Sequence, residues 1–186
     1  TKAITTNELT YNFDELLYRR LLHFFNQSTL QQLLHNIKAT NTCKPNITMA
    51  VLRTLLYCWC TNNRFGKPGH PCRLCSSPHN DTLRHFHECA PLLQAARSTF
   101  KQQHIPPTTR FLFLATDYAT TTTSTPLIIN AMHIYASINT YHSIKHNPTL
   151  NHGTQYAAHI RRLVQHDPRL AKHYIFAQQN QLYSCH

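Results

Sequence analysis

The sequence predicts an all-α helical domain with an embedded CCHC zinc knuckle, on three observations. Apolar residues recur at three- and four-residue steps through most of the 186 residues. Little in the chain alternates with the two-residue period of a strand. Between two sets of helical segments lies Pro71 to Ala90, PCRLCSSPHNDTLRHFHECA, which concentrates thiol and imidazole side chains.

Taken in order, residues 1–12 read as an irregular arm. Phe13, Leu16, Leu17, Leu21, Phe24 and Phe25 then follow a helical period, with Asp14 and Glu15 in the first turn and Arg19-Arg20 further along, as the helix dipole favours. Ser28 is placed to cap a second helix through Leu30, Leu33, Leu34 and Ile37. A third, over Asn46 to Cys60, carries Ile47, Val51, Leu52, Leu55, Leu56 and Trp59 on a broad apolar face, which nominates it as the central helix. These segments make a unit over 13–60. The unit over 61–104 holds a positively charged loop, the knuckle and a helix entered at Pro91. In the unit over 105–186, Phe111 to Ala115 is a short apolar piece and Thr120 to Thr125 a loop. Pro126 then opens a helix through Leu127, Ile128, Ala131, Ile134, Tyr135, Ile138 and Tyr141. Another runs from about Thr154 to Gln165, and Asp167-Pro168 starts a last one.

The knuckle has the spacing C-x2-C-x9-H-x3-C, formed by Cys72, Cys75, His85 and Cys89. A two-residue gap lets both thiolates of a turn face one ion, and His-x3-Cys places the other two donors on one helical face. Three thiolates and one imidazole suit a closed, tetrahedral, structural Zn²⁺ site, whose binding free energy is folding free energy. Asp81-Thr82 supplies capping oxygens for the helix that carries the second pair. His79 and His87 are near, but His87 would point off that face, which leaves His85 as the nitrogen donor.

Charge narrows the partners. The chain has 18 Lys+Arg against 7 Asp+Glu, a formal net charge of +11, which favours polyanions such as nucleic acid or an anionic membrane face. Arg53, Arg64, Lys67, Arg73 and Arg84 surround the knuckle and are the candidates for phosphate contact. No run of residues is apolar and long enough to span a bilayer. With three cysteines assigned to a metal, Cys43, Cys58, Cys60 and Cys185 read as thiols of a reducing compartment. A first residue that is Thr1 rather than methionine fits a fragment or a processed product; loss of an organellar presequence would explain it, and a mitochondrial location is expected on that reading.

Tyr57-Cys58-Trp59-Cys60-Thr61-x-x-Arg64-Phe65, leading into Cys72-x2-Cys75 and then Asp81-Thr82-Leu83-x-His85-x3-Cys89, resembles the zinc-binding domain downstream of the polymerase in non-LTR retrotransposon reverse transcriptases. The W-C-T-x-x-R-F lead-in is similar to versions from dinoflagellates and their alveolate relatives. The resemblance covers about half the chain. It does not carry over the enzymology: two-metal chemistry needs clustered carboxylates, and Asp14, Asp81, Asp117 and Asp167 are the only aspartates, none paired. His23, His35, His133 and His142 come with no nucleophile or phosphate loop and read as surface or satisfied core residues. The expectation is a repurposed, non-catalytic module that binds RNA, as a component of an organellar ribosome (on ribosomal RNA, beside neighbouring proteins of the assembly) or another ribonucleoprotein. The alternative is an accessory subunit of a large organellar complex, for example a respiratory one, without nucleic acid contact.

Overall fold

A helix that is apolar all round belongs in the middle of a bundle, because every face must be covered. Thr125–His146 is such a helix: Ile128, Ala131, Ile134, Ile138 and Tyr141 are buried, and so are Asn130, His133, Ser137 and Thr140 between them. The computed structural model describes residues 26–40, 43–56, 58–67, 69–78, 81–86, 88–103 and 125–182, with 15, 16, 18, 19 and 21, and excepts the side chains of 28, 29, 39, 63 and 84. All regular structure among these residues is helical. In chain order the helices are α1 (Gln27–Thr40), α2 (Pro45–Leu55), α3 (Leu83–Phe86), α4 (Ala90–Phe100), α5 (Thr125–His146), α6 (His152–His166) and α7 (Pro168–Gln179).

The central role falls to α5 and not to the helix over Asn46 to Cys60. At 22 residues α5 is about 33 Å long, and α1, α2, α6 and α7 all pack against it. The other side of the bundle closes where α4 packs on α6. One buried cluster runs through the whole, from Leu21 and Leu30 through Val51, Trp59, Phe86 and Phe100 to Tyr156 and Ala177.

Several boundaries differ from the expected ones for local reasons. α2 stops at Leu55, short of Cys60; the Cys58 amide turns back onto the Arg53 carbonyl at 2.6 Å, so Trp59 enters the core from a bend. Ser28 lies inside α1 rather than ahead of it. α6 begins at His152, because Asn151 caps it by accepting from the Thr154 amide at 2.9 Å. Leu16, expected inward, is half exposed, whereas Leu21 is buried. Phe13, Leu17, Phe24, Phe25 and the segments over 111–115 and 120–124 lie outside the described residues. No helix of the described residues is long and apolar enough to cross a membrane.

The start of α7 is as the sequence indicates. The Asp167 carboxylate accepts from the Arg169 amide at 3.0 Å, Pro168 occupies the first turn, and the Arg169 guanidinium closes on the same carboxylate at 3.1 Å. The Arg169 hydrogen bond holds the Asp167 carboxyl below its ordinary value of 3.8. Asp167→Ala should therefore lower stability by about 1 kcal/mol in urea denaturation at neutral pH. A carboxyl lowered in the folded state stabilises above its unfolded value and ceases to do so as the pH falls through its folded one. The difference between the two proteins should accordingly shrink below about pH 4.

Candidate metal centre

Two tight turns build the centre. In the first, the Cys72 amide donates to the Ser77 carbonyl and the Ser76 amide to the Cys72 carbonyl, both at 2.9 Å. Ser76 sits at φ 58°, a left-handed conformation that costs a non-glycine residue about 1–2 kcal/mol. This closure turns both cysteine side chains of the C-x2-C to one side. In the second, Thr82 Oγ1 accepts from the His85 amide at 3.1 Å and starts α3, which ends after one turn. The Glu88 amide donates to the His85 carbonyl at 2.9 Å, and Cys89 follows in extended conformation as the residue before α4, with Pro91 in that helix's first turn. His85 and Cys89 therefore do not share one helical face, as the spacing suggests. They flank a corner between two helices, and the corner swings Cys89 back toward the first turn.

The ligand atoms of Cys72, Cys75, His85 and Cys89 all lie within 4.8 Å of one another. Cys72 Sγ and Cys89 Sγ are 3.9 Å apart, and Cys75 Sγ and His85 Nε2 are 3.1 Å apart. A tetrahedral ion with bonds of about 2.3 Å to sulfur requires sulfur–sulfur edges of about 3.8 Å, so this group could hold one metal ion. Cys72 and Cys89 are buried, and Cys75 and His85 are half-buried at the solvent edge.

Cys72 is held down at about 5, chiefly because it accepts a hydrogen bond from the Cys89 thiol, helped by the amides of Leu74 and Cys75. The same contact, then burial and the neighbouring sulfur charges, pushes Cys89 far up; burial raises Cys75. Three thiolates this close cannot all ionise unless a cation lies between them, and a bound metal reverses that balance. The Leu74 amide, 3.4 Å from Cys72 Sγ, and the Ser77 amide, which favours ionised Cys75, are the outer-shell donors that suit thiolate ligands.

Behind the centre stands an aromatic cluster. Phe86, the last residue of α3, stacks on Trp59 with centroids 5.2 Å apart and tilts against Tyr141 of α5 at 5.0 Å. Such pairs contribute about 1 kcal/mol each beyond the area they bury. Asp81 proves not to be the helix cap; Thr82 is. Its buried carboxylate accepts instead from the Asn62 amide at 2.7 Å and from the Tyr141 hydroxyl at 3.1 Å. Burial first, and then the Asp81 charge, raises the Tyr141 hydroxyl, so it remains a proton donor. The loop over 58–67, the knuckle and α5 are thus tied at one point.

The expected basic residues fall into groups. Arg53 at the end of α2 and Arg64 in the 3₁₀ turn Asn63–Phe65 line one cavity together with Cys58, Trp59, Cys60, Ile138 and His142. Lys67 and Arg73 are exposed and line neither this cavity nor its neighbour. The Arg84 side chain, with His79 and His87, lies outside the described residues. Two residues of α5, Lys145 and His142, were not anticipated here. Lys145 donates to the Cys60 carbonyl at 2.7 Å and lies 5.5 Å over the Phe65 ring. His142, read from the sequence as a surface or satisfied residue, has a buried Nε2 with no hydrogen-bond partner. His133 does behave as a core residue, bonded to the Tyr156 hydroxyl at 2.6 Å.

Cys72→Ser and Cys89→Ser should each abolish cooperative melting of the central region, as should a strong chelator acting on the unaltered chain. A normal thermal transition in either variant would mean that the four donors do not clamp the fold. Tyr141→Phe leaves the donors in place but removes a partner from buried Asp81. It should cost about 1–3 kcal/mol in urea denaturation with metal still bound.

No family model matches the chain, and no curated protein and no solved structure is found to be similar to it.

Proposed function

We propose that the protein is a non-catalytic, zinc-stabilised basic module that binds RNA through its phosphates. In this reading it is a repurposed relative of the reverse-transcriptase zinc domain, built into an organellar ribonucleoprotein, the mitochondrial ribosome foremost. Zinc follows from the donor set: three sulfurs and one imidazole select a soft, tetrahedral ion, and four protein ligands leave no position for a reacting water. The ion is then a structural clamp.

The observation that carries the RNA reading is the run of exposed cations next to that clamp. Arg53, Arg64, Lys67 and Arg73 are all exposed, and α5 adds Lys145 beside Arg64, both within 6.0 Å of the Phe65 ring centroid. Among the described carboxylates, Asp81 is buried and accepts through Oδ2, Asp167 and Glu15 are paired with Arg169 and Arg19, and Glu88 is exposed. Phosphate contacts of this kind set affinity and its salt dependence without reading sequence. Phe65 is 58% exposed between two cations, which suits a ring on which a base can stack.

The first experiment is a density gradient of organelle extract, with and without ribonuclease, in which the chain is followed by mass spectrometry. Co-migration with a ribosomal subunit that collapses under ribonuclease supports the reading. Migration with a membrane complex, indifferent to ribonuclease, would replace it by the accessory-subunit role. In vitro, Arg64→Gln with Lys67→Gln should weaken binding about equally for all RNA sequences. The slope of log affinity against log salt should fall by about two.

A further inference from the structure

The cavity that Arg53 and Arg64 share has features that a flat basic face does not need. It has a volume of about 330 Å³ and lies between the C-terminal end of α2, the loop over 58–64 and α5. That is the small end of the range for pockets that take a small molecule, about 300–1,000 Å³. Trp59 and Ile138 form apolar lining, and among the described residues the only charged side chains that line it are Arg53 and Arg64. His142 lines it from α5, and its Nε2 is buried with no hydrogen-bond partner among the described residues, an arrangement that costs free energy until a partner reaches it. Burial, then Lys145, His146 and Arg53, push the His142 imidazole below its ordinary value, so it meets a ligand as a neutral ring able to donate or accept.

A second depression of about 350 Å³ shares Arg53, Ile138 and His142 as its wall and continues along α2 and α5 past Tyr135 and exposed Met49. No carboxylate lines either one. An apolar floor, a neutral hydrogen-bonding ring and two guanidinium groups at the edge match the parts of a nucleotide in turn: base face, base edge and phosphate.

We propose that this cavity is a nucleotide subsite that takes one unpaired base of single-stranded RNA, with His142 Nε2 on the base edge and Arg53 and Arg64 on the flanking phosphates. The neighbouring depression carries the strand onward. The proposal rests on the RNA-binding reading and deepens it, because a paired base inside a duplex cannot enter a recess between helices. The protein should therefore prefer single strands over duplexes.

The chain supplies its own reporter, since Trp59 is its only tryptophan and lines the cavity. The metal-loaded full chain is titrated with a single-stranded oligoribonucleotide, with the same sequence as a duplex, and with inorganic phosphate. Total binding is read by anisotropy of labelled RNA and occupancy of the cavity by Trp59 fluorescence. The expected result is a saturable change in Trp59 with the single strand, over the concentrations at which anisotropy reports binding. The duplex and phosphate should leave Trp59 unchanged. His142→Ala should weaken single-strand binding about five- to tenfold with little effect on the duplex. His142→Gln, which keeps a donor and an acceptor, should recover part of that loss. Arg64→Gln, at an exposed site, should weaken the single strand more than the duplex and serves if the histidine variants fold poorly. RNA binding with Trp59 silent and His142→Ala at full affinity would overturn the subsite and leave the RNA reading standing. An equal response to phosphate alone would reduce the cavity to an anion site and also overturn it. If neither RNA form binds, both readings fall.

Discussion

The structure depends on one constraint: three thiols and an imidazole must converge where the chain has little else to hold it. Between the end of α2 at Leu55 and the start of α4 at Ala90, the regular structure among the described residues is one 3₁₀ turn and one turn of α-helix. A segment of that kind cannot repay its conformational entropy through helix hydrogen bonds. It holds a left-handed serine in its first turn and aims three cysteines at one another. The hydrogen bond from the Cys89 thiol holds Cys72 toward the thiolate and Cys89 toward the neutral form. A metal held by the four donors would make this the most stable point of the loop, and binding and folding of the segment would become one process.

The clamp would be local if it did not reach the bundle. It reaches it through Phe86, next to ligand His85, and through Asp81. Phe86 packs against both Trp59 and Tyr141, which also touch each other, and Asp81 receives the Tyr141 hydroxyl and the Asn62 amide. Asp81 occupies the position of a helix cap yet works across the fold, joining segments far apart in sequence. A buried carboxylate is costly unless hydrogen bonds compensate it, and Tyr141 is a strong candidate for that compensation because its hydroxyl stays protonated. The long helix, the loop that carries Arg64 and the metal turn are consequently positioned relative to one another. A cavity walled by α2, that loop and α5 inherits its shape from the same contacts.

How much of this was legible depended on the range of the interaction. The C-x2-C-x9-H-x3-C set could be read because its first pair is a turn constraint that spacing alone expresses. The second pair could be read only in part, since the sequence does not announce that α3 ends at Phe86 and that Cys89 begins a new helix. Helix positions followed from periodicity for α1, α2, α6 and α7. For α5 the period was the wrong guide to rank: its polar residues Asn130, His133, Ser137 and Thr140 are buried too, so it is wrapped on all sides rather than amphipathic. Asp167-Pro168 was legible because capping is local, and it reads the same in the structure. Asp81, His142 and Lys145 were not, because what each does depends on partners that the chain brings together only on folding.

The distribution of charge completes the argument. A net charge of +11 on 186 residues repels itself, and an anion bound among the cations would relieve that repulsion. Here several are held in place before any ligand arrives. Lys145 is anchored to the Cys60 carbonyl, Arg64 sits on a turn that the Asn62 carbonyl and left-handed Gly66 close, and Arg53 ends a helix packed on α5. Of these, Lys145 has its head group already bonded, so its side chain has less freedom to lose in a further contact. A metal held there would fix the loop that carries Arg64 and Cys60, whose carbonyl holds Lys145. Loss of the ion would therefore act on the basic surface as well as on the fold, because the same residues that close the loop also hold the cations in register.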